Sequence, residues 1–359
     1  SGFMIFNESH KEFLTDFKRF YINNIDEFIR LQDVAVKKGN EQTPMNYWIQ
    51  MNNIDLNSFK SIEDALNIKT QNNLKFGRGW HEESLLEKRA FTKQDLNKIS
   101  TEKPVIFLRV CGHVLVCNDK AMELAGITFD TAQIEGGTFN FETGLFTEDA
   151  LGLIYAIMPK PSKEDIKEMF VNANNYLLSQ GITSAASDDF STLQVDYEII
   201  IEALKELYEE DKMQIRLTEQ VNLPSKELFQ DFIDKGYVNK DYGKFKMGPL
   251  KLLADGSLGG KTAYLNNDYT DDPGNKGIKV FKDSDLEELI YMADSNNMDV
   301  AIHAIGGGMI DIVIIAIEKS LKKTNRTNHR HSIIHAQCAN KSQIKRMRGL
   351  GISAIVQPI

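Results

Sequence analysis

The sequence predicts an α/β protein in which a parallel sheet is covered by helices. Short apolar runs typical of buried strands recur through the second half, at residues 182–187, 214–221, 250–255, 299–305, 331–337 and 352–358. The segments between these six runs are charged and carry apolar residues at helical spacing. Strands that alternate with helices in this way form parallel sheets with both faces buried.

The first part of the chain has a different pattern. A polar helical region is followed by a strand-like pair at 105–110 and 113–118, and residues 126–144 are typical of turns and short strands. We therefore expect residues 1–170 to form an N-terminal part and residues 171–359 to carry the six strands. We expect one continuous domain overall.

The composition excludes several classes of function. The net charge of −9, with basic residues scattered among acidic ones, argues against a nucleic-acid partner, which requires a concentrated basic face. Three cysteines are too few for a disulfide framework and favour a reducing compartment. The longest apolar stretch, at 312–317, is far shorter than a membrane span, and we see no signal peptide. We expect a cytoplasmic protein that does not bind membranes.

Three successive predicted strands end in a lysine or a histidine. Two-residue periodicity places Lys251 on one face with Asp255, while His303 and His335 lie near the carboxyl ends of the next two strands. Active sites of α/β barrels lie at that edge, and imidazoles there are suitable metal ligands. The alternatives are structural: Lys251 could pair with Asp255, and a single strand-end histidine is more often a core residue. The H-x-H at 329–331 precedes its strand, so we interpret it as structural or solvated.

Several motifs, in the same order, resemble the metal-dependent amidohydrolase superfamily. They occupy residues 77–80, 104–127, 143–151, 250–265, 269–277, 300–318 and 330–337. The resemblance is to the amidohydrolase 3 (YtcJ-like) group, whose members include an N-substituted formamide deformylase. It implies a (β/α)8 TIM-type barrel of the metallo-dependent hydrolase kind, with the six runs as its second to seventh strands. Residues 1–170 would then include a long insertion between barrel strands 1 and 2.

The resemblance also implies a chemistry. A member of this group holds one or two divalent metals, most often zinc. Lys251 corresponds to the bridging lysine, carboxylated to a carbamate, and His303 and His335 correspond to the ligands of the fifth and sixth strands. Hydroxide activated by the metal would attack the carbonyl carbon of a small-molecule substrate and so cleave its C–N bond, of amide or N-formyl type.

Three further residues are assigned to the substrate side. The resemblance implies a substrate-polarising or positioning role for His113, and Trp80 is expected to line the same pocket. Asp255, with Gly256, is expected to shape the loop after the fourth strand beside the substrate. A packed aromatic and a hydrogen-bonded histidine explain Trp80 and His113 equally well.

The chain departs from the group at both ends of the barrel. The nearest candidate for the first-strand H-x-H is His10, with Glu12 in place of the second histidine, and the sequence stops on the seventh strand. We therefore expect an incomplete barrel in which strand 1 is doubtful and strand 8 is absent, either a fragment or a chain completed by a partner. Formation of a homo-oligomer stays open. The rival hypothesis is a catalytically silent barrel that binds a small molecule or a partner protein, and a deaminase is a weaker third.

Overall fold

The structure, a computed structural model, describes residues 54–67, 74–191, 193 and 195–357. The strands are β1 Ile54–Asp55, β2 Lys75–Trp80, β3 Val105–Arg109, β4 Val114–Cys117, β5 Gly137–Asn140, β6 Leu145–Glu148, β7 Ser184–Ser187, β8 Arg216–Val221, β9 Phe245–Leu253, β10 Val300–Ala304, β11 Ser332–His335 and β12 Ser353–Ile355. The helices are α1 Ile62–Leu66, α2 Lys93–Ile99, α3 Asp119–Leu124, α4 Leu151–Tyr155, α5 Lys163–Ser179, α6 Tyr197–Glu209, α7 Lys226–Asp234, α8 Asp283–Ser295, α9 Gly307–Thr324 and α10 Lys341–Leu350.

The second half of the chain forms a six-stranded parallel sheet in the order β12-β11-β10-β9-β8-β7. Its strands lie within or overlap the six predicted runs, so this prediction is confirmed. Helices connect consecutive strands, as a parallel sheet requires. The register sets Lys251 opposite Ala301, and His335 opposite Ala304, the residue after His303. The three polar side chains therefore lie on adjacent strands, near the same edge.

The first half forms a mixed sheet in the order β1-β2-β3-β4-β6-β5. Strands β1 to β3 are parallel, whereas β4, β6 and β5 continue the sheet as antiparallel neighbours. The expected strand pair is confirmed as the β3–β4 hairpin. The predicted division at residue 170 falls inside α5, which packs on α6, so this helix belongs with the parallel sheet.

Local sequence signals explain several helix ends. Ser162 and Asp165 form a capping box at the start of α5, and Asn340 and Gln343 form another at α10. Gly351 ends α10 with a φ of 72°, a left-handed conformation that glycine adopts without steric cost.

The three glycines at 306–308 lie where β10 leads into α9. Gly306 caps α9 and the next two glycines begin it. A Cβ on Gly306 would lie 2.0 Å from the carbonyl oxygen of Tyr264. Glycine is therefore needed because the backbone passes close to the loop after β9.

One hydrophobic core joins the two sheets. It includes Phe76 and Ile106 of the mixed sheet together with Leu250, Ile302 and Ile333 of the parallel sheet. A smaller cluster lies on the other side of the mixed sheet. Within the described ranges, the helices are all too short or too polar to cross a membrane.

Candidate metal and substrate site

Lys251 lies in the second half of β9 and is buried, with 6% of its surface exposed. Its Nζ atom is 2.9 Å from Oδ2 of Asp188, which follows β7. Asp255 was the alternative partner considered for Lys251. This alternative is wrong, because the carboxylate that pairs with Lys251 belongs to Asp188, after β7. The ion pair holds the ammonium at the carboxyl edge of the parallel sheet.

His303 lies at the centre of the group and is 3% exposed. Its Nε2 atom is 3.2 Å from the carbonyl oxygen of Gly256, which can only accept a hydrogen bond. Nε2 therefore carries the proton, and Nδ1 keeps its lone pair. Burial lowers the pKa of His303 well below its usual value, and the nearby His113, His335 and Lys251 lower it further. A neutral imidazole with a free lone pair is the form that binds metals.

His335 completes the row. Its ring centroid is 4.6 Å from that of His303, and its Nδ1 atom lies 2.7 Å from Oε1 of Gln357. Nδ1–H donates to this oxygen, which leaves the lone pair on Nε2. Burial lowers the pKa of His335 as well. Its φ of 71° and that of Ala336, 47°, are left-handed, a strain that is concentrated at functional sites.

His113 reaches the same place from the other sheet. It precedes β4, and its ring centroid is 5.1 Å from that of His303. Its Nδ1 atom is 2.7 Å from Oε2 of Glu148, at the end of β6. The structure therefore brings His113 beside the predicted ligand His303, and its role at the substrate stays a prediction.

Asp255 shapes the loop after β9, as expected. It is fully buried, and its two oxygens accept hydrogen bonds from the backbone amides of Tyr264, Ile305 and Gly306, at 2.8 to 3.0 Å. Burial raises the pKa of Asp255 to about 7 despite these hydrogen bonds. Its oxygens accept hydrogen bonds from the backbone, and Oδ1 also lies 3.6 Å from Nε2 of His303, so its contacts are those of a loop anchor beside the site. Its role at the substrate stays a prediction.

Trp80 lies away from this group, in the smaller hydrophobic cluster. It is 1% exposed, its Nε1–H donates to the carbonyl of Phe107, and its ring packs edge-on against Phe91. These are the contacts of a core aromatic. The expectation that Trp80 lines the substrate pocket is therefore corrected in favour of the structural alternative.

Two acidic residues that touch the site, Asp188 and Glu148, were not predicted from the sequence. Asp188 could have been found, because it follows a predicted strand just as the residues singled out do. Glu148 stands in a quoted motif at 143–151, yet its pairing with His113 depends on a strand register that the motif does not reveal.

A buried acidic pair lies next to Asp188. Asp189 and Glu219 are fully buried, and Oε1 of Glu219 accepts the backbone amide of Asp189 at 2.6 Å. Asp189 Oδ1 and Glu219 Oε2 have no hydrogen-bond partner in the part of the chain that is described. Burial raises the pKa of both groups, so the pair favours a protonated form.

The donors present fit part of a divalent-metal site. His303 and His335 offer lone pairs on Nδ1 and Nε2, and Lys251 would add an anionic oxygen once carboxylated. Among residues 54–67, 74–191, 193 and 195–357, no group of three or more His, Cys, Asp and Glu side chains is placed to hold a metal ion. His10, the weak candidate ligand, lies outside the described residues.

The fold and the site define a class of protein, an α/β barrel type that carries polar groups at the carboxyl edge of its parallel strands. The chain belongs to the amidohydrolase family, whose model (Amidohydro_3, Amidohydrolase family) matches residues 41–359. The resemblance found in the sequence is thereby confirmed.

Individual relatives agree with this assignment. The putative amidohydrolase YtcJ of Bacillus subtilis is 31% identical over 80% of this chain and 54% of its own length. The N-substituted formamide deformylase of Arthrobacter pascens is 22% identical over 79% and 53%. The chain therefore spans about half the length of these curated relatives.

A solved structure supports the fold. An uncharacterized metal-dependent hydrolase from Pyrococcus horikoshii OT3 superimposes with a TM-score of 0.64 at 28% identity, over 88% of this chain and 61% of that chain. The fold is accordingly that of a metallo-hydrolase of TIM-barrel type, of which the described residues supply six consecutive parallel strands.

Proposed function

We propose that the protein is a hydrolase that uses a divalent metal to cleave a C–N bond, of amide or N-formyl type, in a small molecule. The observation that carries this proposal is the convergence of Lys251, His303 and His335 on adjacent strand ends, with His113 beside them. Family membership and the similarity to an N-substituted formamide deformylase support the bond type.

His303 and His335 would hold the metal through Nδ1 and Nε2, and Lys251 would join them as a carbamate. Such a metal polarises a scissile carbonyl and lowers the pKa of an attacking water. Neutral imidazole ligands are well suited to zinc, which we propose as the metal. A carbamate on Lys251 would have to give up the ion pair with Asp188, so carboxylation rearranges that pair.

His113 is assigned to the substrate. Its Nδ1 atom is committed to Glu148, so a substrate carbonyl or amide would meet the ring through Nε2. Asp255 holds the loop of Gly256 in place and thereby fixes the carbonyl that orients His303. The protein groups thus orient the substrate and the ligands.

The test is hydrolysis of N-(4-nitrophenyl)formamide by the zinc-loaded chain, which is monitored through the release of 4-nitroaniline. We expect turnover by the wild type, and a loss of more than about 1,000-fold in the His303→Ala/His335→Ala double variant. His329→Ala is the matched control, because His329 stacks on His331 rather than on the site. Equal rates in the wild type and the double variant, or no turnover by the loaded wild type of this probe or a related anilide, would contradict the proposal.

A second candidate is a catalytically silent barrel that binds a small molecule or a partner protein. The ion pair between Lys251 and Asp188 favours it, because a paired ammonium is not a metal ligand. A chain that binds no zinc yet binds a small amide would support this alternative.

A further inference from the structure

Glu148 and His113 are linked twice. Strands β4 and β6 pair with Val114 opposite Thr147, which brings the two flanking residues together. The backbone amide of Glu148 donates to the carbonyl of His113 at 3.0 Å, and Nδ1 of the imidazole is 2.7 Å from Oε2 of the carboxylate. The contact is therefore built into the strand ladder.

The backbone of Glu148 is strained. Its φ is 49°, in the left-handed region that residues with a Cβ rarely occupy. Strain of this kind persists only where the surrounding structure fixes it, and it is concentrated at functional sites. The ladder hydrogen bond to His113 supplies part of that constraint.

The carboxylate is enclosed on the side of the parallel sheet. The side chain of Glu148 is 4% exposed, and its Oε1 atom has no hydrogen-bond partner within the described ranges. A Cβ on Gly256 would lie 2.0 Å from Oε1, so glycine lets the loop pack against the carboxylate. The carbonyl of the same glycine accepts Nε2–H of His303. Glu148 thus bonds His113 directly and packs against the glycine whose carbonyl accepts from His303.

We infer that Glu148 is a positioning residue that keeps a proton on Nδ1 of His113, so that only Nε2 exchanges a proton or a hydrogen bond with the substrate. The physical reason is that the partner of one imidazole nitrogen determines which nitrogen carries the proton. A hydrogen bond to a buried carboxylate is strong, and the 2.7 Å contact with Oε2 therefore favours the proton on Nδ1. The catalytic part of this inference rests on the proposed function.

The protonation pattern can be measured without any activity. The chain is labelled with ¹⁵N-histidine, long-range ¹H–¹⁵N spectra are recorded at neutral pH, and His113→Gln assigns the signals. We expect a protonated Nδ1 in the wild type and in Glu148→Gln, which keeps an acceptor oxygen. We expect a shift towards protonated Nε2 in Glu148→Ala. Glu142→Ala, in the same hairpin and exposed, is the control and keeps the wild-type pattern.

Two results would overturn the inference. One is a wild-type spectrum in which Nδ1 of His113 carries no proton. This result does not depend on the folding of Glu148→Ala. The other is a folded Glu148→Ala chain whose His113 signals match those of the wild type.

Kinetic measurements distinguish a positioning role of Glu148 from a purely structural one. With N-(4-nitrophenyl)formamide as the probe, we expect Glu148→Ala to lower kcat about 100-fold. Its KM stays within about twofold, and Glu148→Gln recovers most of the rate. A change in KM alone would contradict the positioning role. If the wild type does not hydrolyse the probe, the proposed function fails, and the spectra still decide the protonation of His113.

Discussion

Burial lowers the pKa of His303 and of His335, and the nearby Lys251 lowers both further, whereas Lys251 itself forms an ion pair with Asp188. The two behaviours have one cause. Each side chain is largely removed from water, which disfavours the charged form of the imidazoles, and the ion pair with Asp188 offsets that cost for the lysine. The ion pair with Asp188 therefore explains why a lysine can occupy an apolar strand.

Removing the carboxylate of Asp188 leaves a buried cation without its partner. We predict that Asp188→Asn lowers the free energy of unfolding by about 3 kcal/mol. Adding Lys251→Met should restore most of that loss, because the uncompensated charge is gone. Urea unfolding in the presence of a chelator measures both variants without interference from metals. If the double variant were destabilised by the sum of the two single effects, loss of the ion pair would not be the cause of the lower stability of Asp188→Asn.

At the scale of elements, the loop after β9 and the hairpin that ends at Glu148 are in close contact. Gly256 is the residue that permits the approach, since Glu148 Oε1 and Thr262 Oγ1 lie 2.0 and 2.2 Å from where its Cβ would be. This glycine is therefore one of the points at which the loop of the parallel sheet packs against the mixed sheet.

Gly256→Ala should lower the free energy of unfolding by about 2 kcal/mol, because the added methyl group displaces the carboxylate or the loop. Gly152→Ala is the matched control. Gly152 is exposed in α4 with no atom within 4 Å of its Cβ position, so alanine should raise the free energy of unfolding by about 0.5–1 kcal/mol. Thermal and urea unfolding of both variants check this, and similar effects at the two positions would refute the close contact.

A second junction of elements holds β11 against α8 and α9. Nδ1 of His331 accepts the amide of Val300 and its Nε2–H donates to Asp294, which also accepts from Ser320 and Arg326. Burial lowers the pKa of His331 to about 4. The structural interpretation of the H-x-H at 329–331 is confirmed for this histidine.

The depressed pKa of His331 predicts a pH dependence. The unfolded chain binds a proton at this histidine near pH 6.5 and the folded chain only near pH 4, so stability is lost as the pH falls between these values. The expected loss between pH 7 and pH 5 is about 2 kcal/mol. Urea unfolding of the wild type and of His331→Asn, which keeps an acceptor for Val300, isolates the effect. An identical slope for the two chains would exclude His331 as its source.

At the scale of the molecule, the mixed sheet and the parallel sheet share one hydrophobic core. We predict that they unfold together. In a Trp48→Phe background, the fluorescence of Trp80 reports on the mixed sheet, while circular dichroism reports mainly on the helices of the second half. The two urea transitions should coincide. Two separate midpoints would show that the sheets are independent.

The sequence predicted the parallel sheet well because apolar runs and helical spacing are local signals. Lys251, His303 and His335 were found for the same reason: each stands at a strand end, and strand ends of a parallel sheet share one edge. The pairings of Asp188 and Glu148 could not be predicted, since they depend on register and on how the two sheets meet. Trp80 was misassigned because nothing local distinguishes a pocket aromatic from a core aromatic.

We propose above all that the edge formed by β9, β10 and β11 is a divalent-metal site. Equilibrium dialysis of the purified chain against zinc, followed by elemental analysis, tests it most directly. We predict bound zinc in the wild type and in His329→Ala, and its loss in His303→Ala/His335→Ala. A wild-type chain that retains no zinc, or a double variant that retains as much as the wild type, would contradict the account.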